Sequence, residues 1–195
     1  MPNYCENSVK ITAPNDELFK KLEEANYKSF MSSFKPTPED LDNELAHCWG
    51  GDKAEEQNAI RAELKTKYNY ENGNDWRIGE WGTKWDFGIE EFELSSDTRT
   101  LFIPYFDTAW SPPIEFYDFL YELGYEVKAY YYEPGCGFCG RYDEDGDTSF
   151  DINGGSDWIR KNIPSDIDEE FSISDNMVEW EEEEAEEQRE DDITN

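Results

Sequence analysis

Residues 112–132 carry their own punctuation, and this constrains the fold more than any other stretch. Pro112 and Pro113 open a helix, because proline at the first helical position gives up a donor that would be unpaired anyway. Phe116, Phe119, Leu120 and Leu123 follow at helical spacing, Gly124 stops the helix, and Tyr125 to Tyr132 resume as a strand. The N-terminal stretch has the same logic in reverse order. Val9 and Ile11 alternate with Ser8, Lys10 and Thr12 as in a half-buried strand, and after Pro14 the side chain of Asn15 can cap a helix carrying Leu18, Phe19 and Leu22 on one face. Between these two units, aromatic and β-branched residues from Thr83 to Leu94, a turn at Ser95-Ser96-Asp97 and a run from Thr100 to Phe106 read as a hairpin. The predicted core order is β-α-β-β-α-β, an α+β class.

Residues 26–80 are expected to be a helical insertion. Thr37-Pro38-Glu39-Asp40 has the form of a helix start before Leu41 and Leu45, and a second start at Asp52, with Glu55 three residues on, leads into the stripe Ile60, Leu64, Tyr68. After the core, residues 138–152 suggest an accessory hairpin turning at Asp145-Gly146, and Ser156 to Asn162 a short helix ended by Pro164. Residues 1–164 are therefore read as one folded unit. Residues 165–195 are read as an acidic C-terminal extension, solvated and mobile or transiently helical from about residue 181, where apolar periodicity ends after Trp180.

Charge narrows the function. The chain holds 48 acids against 17 bases, a formal net of −31, yet 16% of its residues are aromatic, which a solvated tail would not carry. Residues 165–195 contribute 15 acids and one base, so the rest of the chain is acidic in its own right. Such a field repels nucleic acid and anionic membranes and attracts basic surfaces. With no basic segment leading into an apolar run and no stretch near the roughly 20 apolar residues that span a bilayer, the expected location is the cytoplasm, with no membrane partner. Cys5, Cys48, Cys136 and Cys139 are then expected as reduced thiols.

Four short segments, in order, carry a resemblance: Asn3-Tyr4-Cys5-Glu6-Asn7, Trp81-Gly82-Thr83-Lys84-Trp85, Thr108-Ala109-Trp110-Ser111-Pro112-Pro113, and Tyr132-Glu133-Pro134-Gly135 with Phe138 and Gly140. Together they resemble the YubB-type ferredoxin-like domain family of phage and plasmid proteins, over roughly residues 1–142 without the insertion. Tyr4 stands where that family usually has Trp. The resemblance implies a ferredoxin-like sandwich with an antiparallel sheet and a mobile-element origin; it implies no activity.

In a sandwich with sheet order 4-1-3-2, the starts of strands 1 and 2 share an edge with the ends of strands 3 and 4. That edge would gather Asn7, Lys84, Trp85, Thr108, Trp110 and Glu133. Two readings stand. Either the edge is a pocket, with Lys84 and Glu133 supplying charge, Asn7 and Thr108 hydrogen bonds, and Trp85 and Trp110 flat walls, or the two tryptophans plug the sandwich and Lys84 pairs with a carboxylate.

Other constellations are weaker. Cys136 and Cys139 have zinc-knuckle spacing, with Cys5 and Cys48 or His47 as possible further ligands, but lack a second close pair, so no metal or cofactor is expected. Asp143, Asp145 and Asp147 around Gly146 lack the calcium-loop spacing and read as a polar turn. His47 is the sole histidine, and its neighbour Cys48 is badly placed to form a nucleophile pair with it. Tyr130, Tyr131 and Tyr132 recur on a strand as in base-stacking sheets, but Glu122, Glu126 and Glu133 around them oppose direct nucleic-acid binding.

The expected function is that of a non-enzymatic phage or plasmid accessory protein binding a basic host protein, one that itself binds nucleic acid, by mimicking DNA charge and so inhibiting a defence or nucleic-acid-processing factor. Glu91 and Glu93, two apart on a strand, would set carboxylates roughly 6 to 7 Å apart, about twice the ~3.4 Å phosphate spacing of one DNA strand. The alternatives are a small-molecule-binding domain or enzyme using the converged edge, or an assembly module.

Overall fold

The structure is a computed structural model that describes residues 3–42, 44–47 and 50–194. Its centre is a six-stranded antiparallel sheet in the order β2-β3-β1-β4-β5-β6, built from β1 (Tyr4–Thr12), β2 (Glu93–Ser95), β3 (Thr100–Ala109), β4 (Glu126–Glu133), β5 (Phe138–Asp143) and β6 (Gly146–Asp151). Nine α-helices among the described residues complete a mixed α+β fold.

The residues facing one side of the sheet follow from strand alternation. Val9 and Ile11 of β1, Leu101 and Ile103 of β3, and Val127 and Ala129 of β4 are all buried in the main core. Helix α1 (Asp16–Glu23) lays Phe19 and Leu22 on it, and α6 (Ile114–Glu122) lays down Phe116, Tyr117 and Leu120. Asn15 caps α1 as the sequence predicts, its side chain accepting the Leu18 N–H at 2.9 Å.

One irregularity sets the phase of β3. Asn7 pairs with Phe106 but Val9 pairs with Ile103, so Pro104 and Tyr105 together stand opposite Ser8 in a β-bulge. A proline inside a strand belongs at such a place, since it has no N–H for the ladder. The extra residue keeps Ile103 and Phe106 on the core side and turns Tyr105 outward.

The insertion contains α2 (Phe30–Phe34), a 3₁₀ turn at Glu39–Asp42, α3 (Glu44–His47), α4 (Ala54–Tyr68) and α5 (Gly73–Trp81). Its starts differ from expectation. Among the described residues the Thr37 hydroxyl is buried without a partner and so caps nothing, and α4 begins beyond Asp52 with Lys53 at its cap. The clearest cap is Asn72, whose side chain accepts the Asp75 N–H at 3.0 Å to start α5. Leu41, Leu64, Trp76 and Trp81 carry the insertion into the main core.

The strand expected over Thr83–Leu94 shrinks to the three residues of β2. Residues 86–89 find other backbone partners: Ile89 N–H donates to Tyr27 O at 2.6 Å, Phe30 N–H donates to Phe87 O at 3.2 Å, and the Asp86 carboxylate accepts the N–H groups of Met31 and Ser32 at 2.8 and 2.9 Å. Phe87 stacks on Phe106 with ring centroids 4.0 Å apart, so the segment still lies along β3.

The expected accessory hairpin is β5–β6, and the helix after it is α7 (Ser156–Asn162). They extend the sheet and, with α8 (Ser165–Phe171) and α9 (Ile173–Thr194), build a second core on its other side. There Cys139, Ile159, Ile163, Ile167 and Ile173 are buried against Tyr130, Tyr132 and Phe150. Polar ties fix this layer to the sheet: Ser8 Oγ donates to Glu170 at 2.5 Å, and Arg141 donates to Asp166 at 2.9 Å. Residues 165–173 are thus part of a core, while residues 179–189 of α9 are exposed on every side.

Candidate functional site

The four segments singled out in the sequence do meet. Cys5 pairs with Thr108, Glu6 with both Asp107 and Tyr132, and the Thr83 hydroxyl accepts the Ala109 N–H at 3.0 Å and donates to its carbonyl at 3.1 Å. Their side chains, however, divide between interior and solvent. Asn7, Thr108 and Glu133 are buried; Lys84 is exposed, and Trp110 is 53% exposed. Trp85 is half-buried beside Tyr4. The six therefore line no common pocket, and Trp110 does not plug the sandwich either. It sits at φ 73°, a left-handed conformation, in the link between β3 and α6. Lys84 makes no ion pair among the described residues; only its carbonyl is engaged, accepting from Arg77 Nε at 3.1 Å.

Two of the three buried residues, Asn7 and Thr108, form a lock. Asn7 Nδ2 donates to Cys5 O at 2.7 Å, to Thr108 Oγ1 at 2.9 Å and to Phe106 O at 3.3 Å, and the Thr108 hydroxyl donates on to Ser111 O at 2.8 Å. This ties β1 to β3 and to the link carrying Trp110. Glu133 accepts the Cys136 N–H and so shapes the β4–β5 turn. Asn7 Oδ1, Glu133 Oε1 and the Tyr117 hydroxyl are buried without a partner among the described residues. Burial, and then the charge of Glu133, push the Cys5 thiol well above the ordinary range, leaving it protonated and unreactive at neutral pH.

The cysteines do not assemble. Cys139 stands opposite Tyr132 and Phe150 in the second core, whereas Cys5 shares the face of Asn7, which pairs with Tyr131. The sheet lies between them, and Cys136 is exposed in the turn. Cys48 lies outside the described residues. His47 stands beside Asp42 and Asn74 in the insertion. Among the described residues no three His, Cys, Asp or Glu side chains are grouped to hold a metal ion. Asp143 accepts the Asp145 N–H at 3.0 Å, as in a polar turn.

The carboxylate pair Glu91 and Glu93 needs correction. Glu93 lies in β2 but Glu91 precedes it, so strand geometry does not space them. A regular carboxylate row occurs instead on α9. Glu179, Glu183 and Glu187 succeed one another every fourth residue, as do Glu182 and Glu186, and all five are exposed.

Sequence reasoning also missed a cleft of 380 Å³ between the outer side of β3 and residues 85–90, lined by Tyr4, Trp85, Asp86, Phe87, Gly88, Glu90, Tyr105, Phe106 and Asp107. Its one signal in the sequence is Pro104, which marks the bulge that turns Tyr105 outward. No helix of the described residues is long and apolar enough to cross a membrane.

No family model matches the chain, and no curated protein matches it. Among solved structures, the crystal structure of a protein api92 from Yersinia pseudotuberculosis, described as DUF1281, is similar over 80% of this chain and 99% of its own, with a TM-score of 0.40 and 11% identity.

Proposed function

We propose that this chain is a non-enzymatic acidic binding protein that engages a basic protein partner, one that itself binds nucleic acid, by offering carboxylates in place of phosphates. The observation that carries this reading is that the carboxylates of α9 stand on an anchored helix. Ile173 is buried at its start, and the Glu181 carboxylate is hydrogen-bonded to Ser156 at the start of α7. On either side of the Glu181 contact, Glu179, Glu182, Glu183, Glu186 and Glu187 are exposed, with no ion pair among the described residues. Four residues of helix rise roughly 6 Å, close to twice the ~3.4 Å phosphate rise of a DNA strand.

The finer reading of the fold belongs to the same proposal: strands β1 to β4 with α1 and α6 form a ferredoxin-like unit, enlarged by the insertion and the second layer. The resemblance to the YubB-type family supports an origin in a phage or plasmid, and hence a cytoplasmic partner in the host, where blocking a defence or nucleic-acid-processing factor would serve the element. The test is affinity capture from host lysate at low and at high salt, with duplex DNA as competitor. The expected result is nucleic-acid-binding proteins held at low salt and released by either treatment; their absence at low salt would overturn the reading.

A further inference from the structure

The cleft beside β3 has the composition of a receptor for a planar cation. Tyr4 and Tyr105, 50% and 52% exposed, line it together with Trp85 and with Phe87 and Phe106, which stack on each other. The Tyr105 hydroxyl donates to Asp107 Oδ1 at 2.8 Å, which orients that carboxylate at the cleft. Glu90 has no hydrogen bond or ion pair among the described residues, whereas both oxygens of Asp86 are already used on backbone N–H groups. Among the described residues, no lysine or arginine lines the cleft. Behind it, Glu6 stands directly opposite Asp107 across β1 and β3, a like-charge pair that a sheet tolerates poorly without a cation near it. Burial and the neighbouring Asp107 raise the Glu6 carboxyl above its ordinary range.

We propose that the cleft formed by Tyr4, Trp85, Tyr105, Glu90 and Asp107 receives an arginine side chain of the protein partner. This rests on the reading of the chain as a binder of basic proteins, and names the contact by which it would select one. A guanidinium is flat, stacks on aromatic faces and donates in a fork to carboxylates, so the rings and the carboxylates of Glu90 and Asp107 are used together. A lysine ammonium would use the charge but not the flat walls. A quaternary ammonium would use the rings but leave the carboxylates without donors. The volume of 380 Å³ lies within the range of roughly 300–1,000 Å³ found for small-ligand sites.

The experiment titrates the intact protein with blocked pentapeptides that carry one central residue among glycines: arginine, lysine, citrulline or trimethyllysine. Binding is followed by NMR at the Trp85 indole N–H and the Tyr105 ring. The arginine peptide should bind roughly tenfold more tightly than the lysine peptide, and citrulline, which lacks the charge, should not bind. Tyr105→Ala and Asp107→Asn, both at the outer side of β3, should each weaken arginine binding roughly tenfold. Tyr105→Phe, which keeps the ring, should weaken it less. Equal binding of arginine and lysine, indifference to these substitutions, or a preference for trimethyllysine would overturn the assignment. A pentaarginine peptide at low salt separates the two levels: if it binds wild type and the variants alike, the cleft is excluded and the acidic-surface reading stands. If it fails to bind wild type at all, that reading fails.

Discussion

The carboxylate of Glu181, within the exposed part of α9, accepts both the backbone N–H of Ser156 at 2.9 Å and its hydroxyl at 2.7 Å. The α7 start has no side-chain cap of its own, so a residue 25 positions further along the chain supplies it. These hydrogen bonds favour the ionised form and lower the Glu181 carboxyl below its ordinary range. For a carboxyl lowered in the folded state, the stabilisation is complete above its unfolded value and disappears as pH falls through the lowered one. Glu181→Gln or Ser156→Ala should therefore lower the protection of the α7 amides, taken as exchange relative to the unfolded chain at the same pH, and acidification through that window should lower it in wild type but not in Glu181→Gln. Unchanged α7 exchange in both variants would show that the contact holds nothing.

The lock between β1 and β3 makes a stability prediction. Thr108→Val removes the acceptor for Asn7 and the donor to Ser111 while keeping the side chain's shape. It should cost about 1–3 kcal/mol in denaturant unfolding, the range for leaving buried polar groups unmatched. Asn7→Ala should cost a similar amount. Because the two residues share a hydrogen bond, the double variant should lose less than the sum of the singles. Strict additivity would mean that the bond does not couple them.

Thiol reactivity checks the placement of the cysteines. Burial, and then the charge of Asp168, push the Cys139 thiol up to about 11, and Cys5 is raised further still. Cys136 is exposed and raised chiefly by its hydrogen bond with Glu133. In a Cys48→Ser background, a disulfide reagent at mildly alkaline pH should modify Cys136 first and reach Cys5 and Cys139 only as the protein unfolds. Three equal rates in the native protein would contradict the burial of the other two.

What was legible in the sequence was what local chemistry decides. The start of α6, its stop at Gly124, the β5–β6 turn and the Asn15 cap all depend on residues within a few positions of one another. Residues 83–92 were not legible as non-strand, because the choice was made by Asp86 binding the start of α2 and by Ile89 pairing with Tyr27, partners more than 50 positions away. Asn7, Thr108 and Glu133 lie on neighbouring strands at one end of the sheet, but strand order alone does not say which side chains point inward. The cleft was hidden for a related reason: one extra residue at Pro104–Tyr105 shifts the alternation of β3, and with it which residues face out. The acidity of the last helix was plain; its anchoring through Ile173 and Glu181 was not.

The central claim is that carboxylates held on the folded protein carry its binding. The measurement closest to it is the dissociation constant for a captured basic partner as a function of salt, for wild type and for a variant with Glu179, Glu182, Glu183, Glu186 and Glu187 all changed to Gln. The account predicts an affinity that falls steeply with salt in wild type and a clearly shallower dependence in the variant, as expected when charge contacts are removed. An affinity indifferent to salt, or a variant with the wild-type slope and strength, would contradict it.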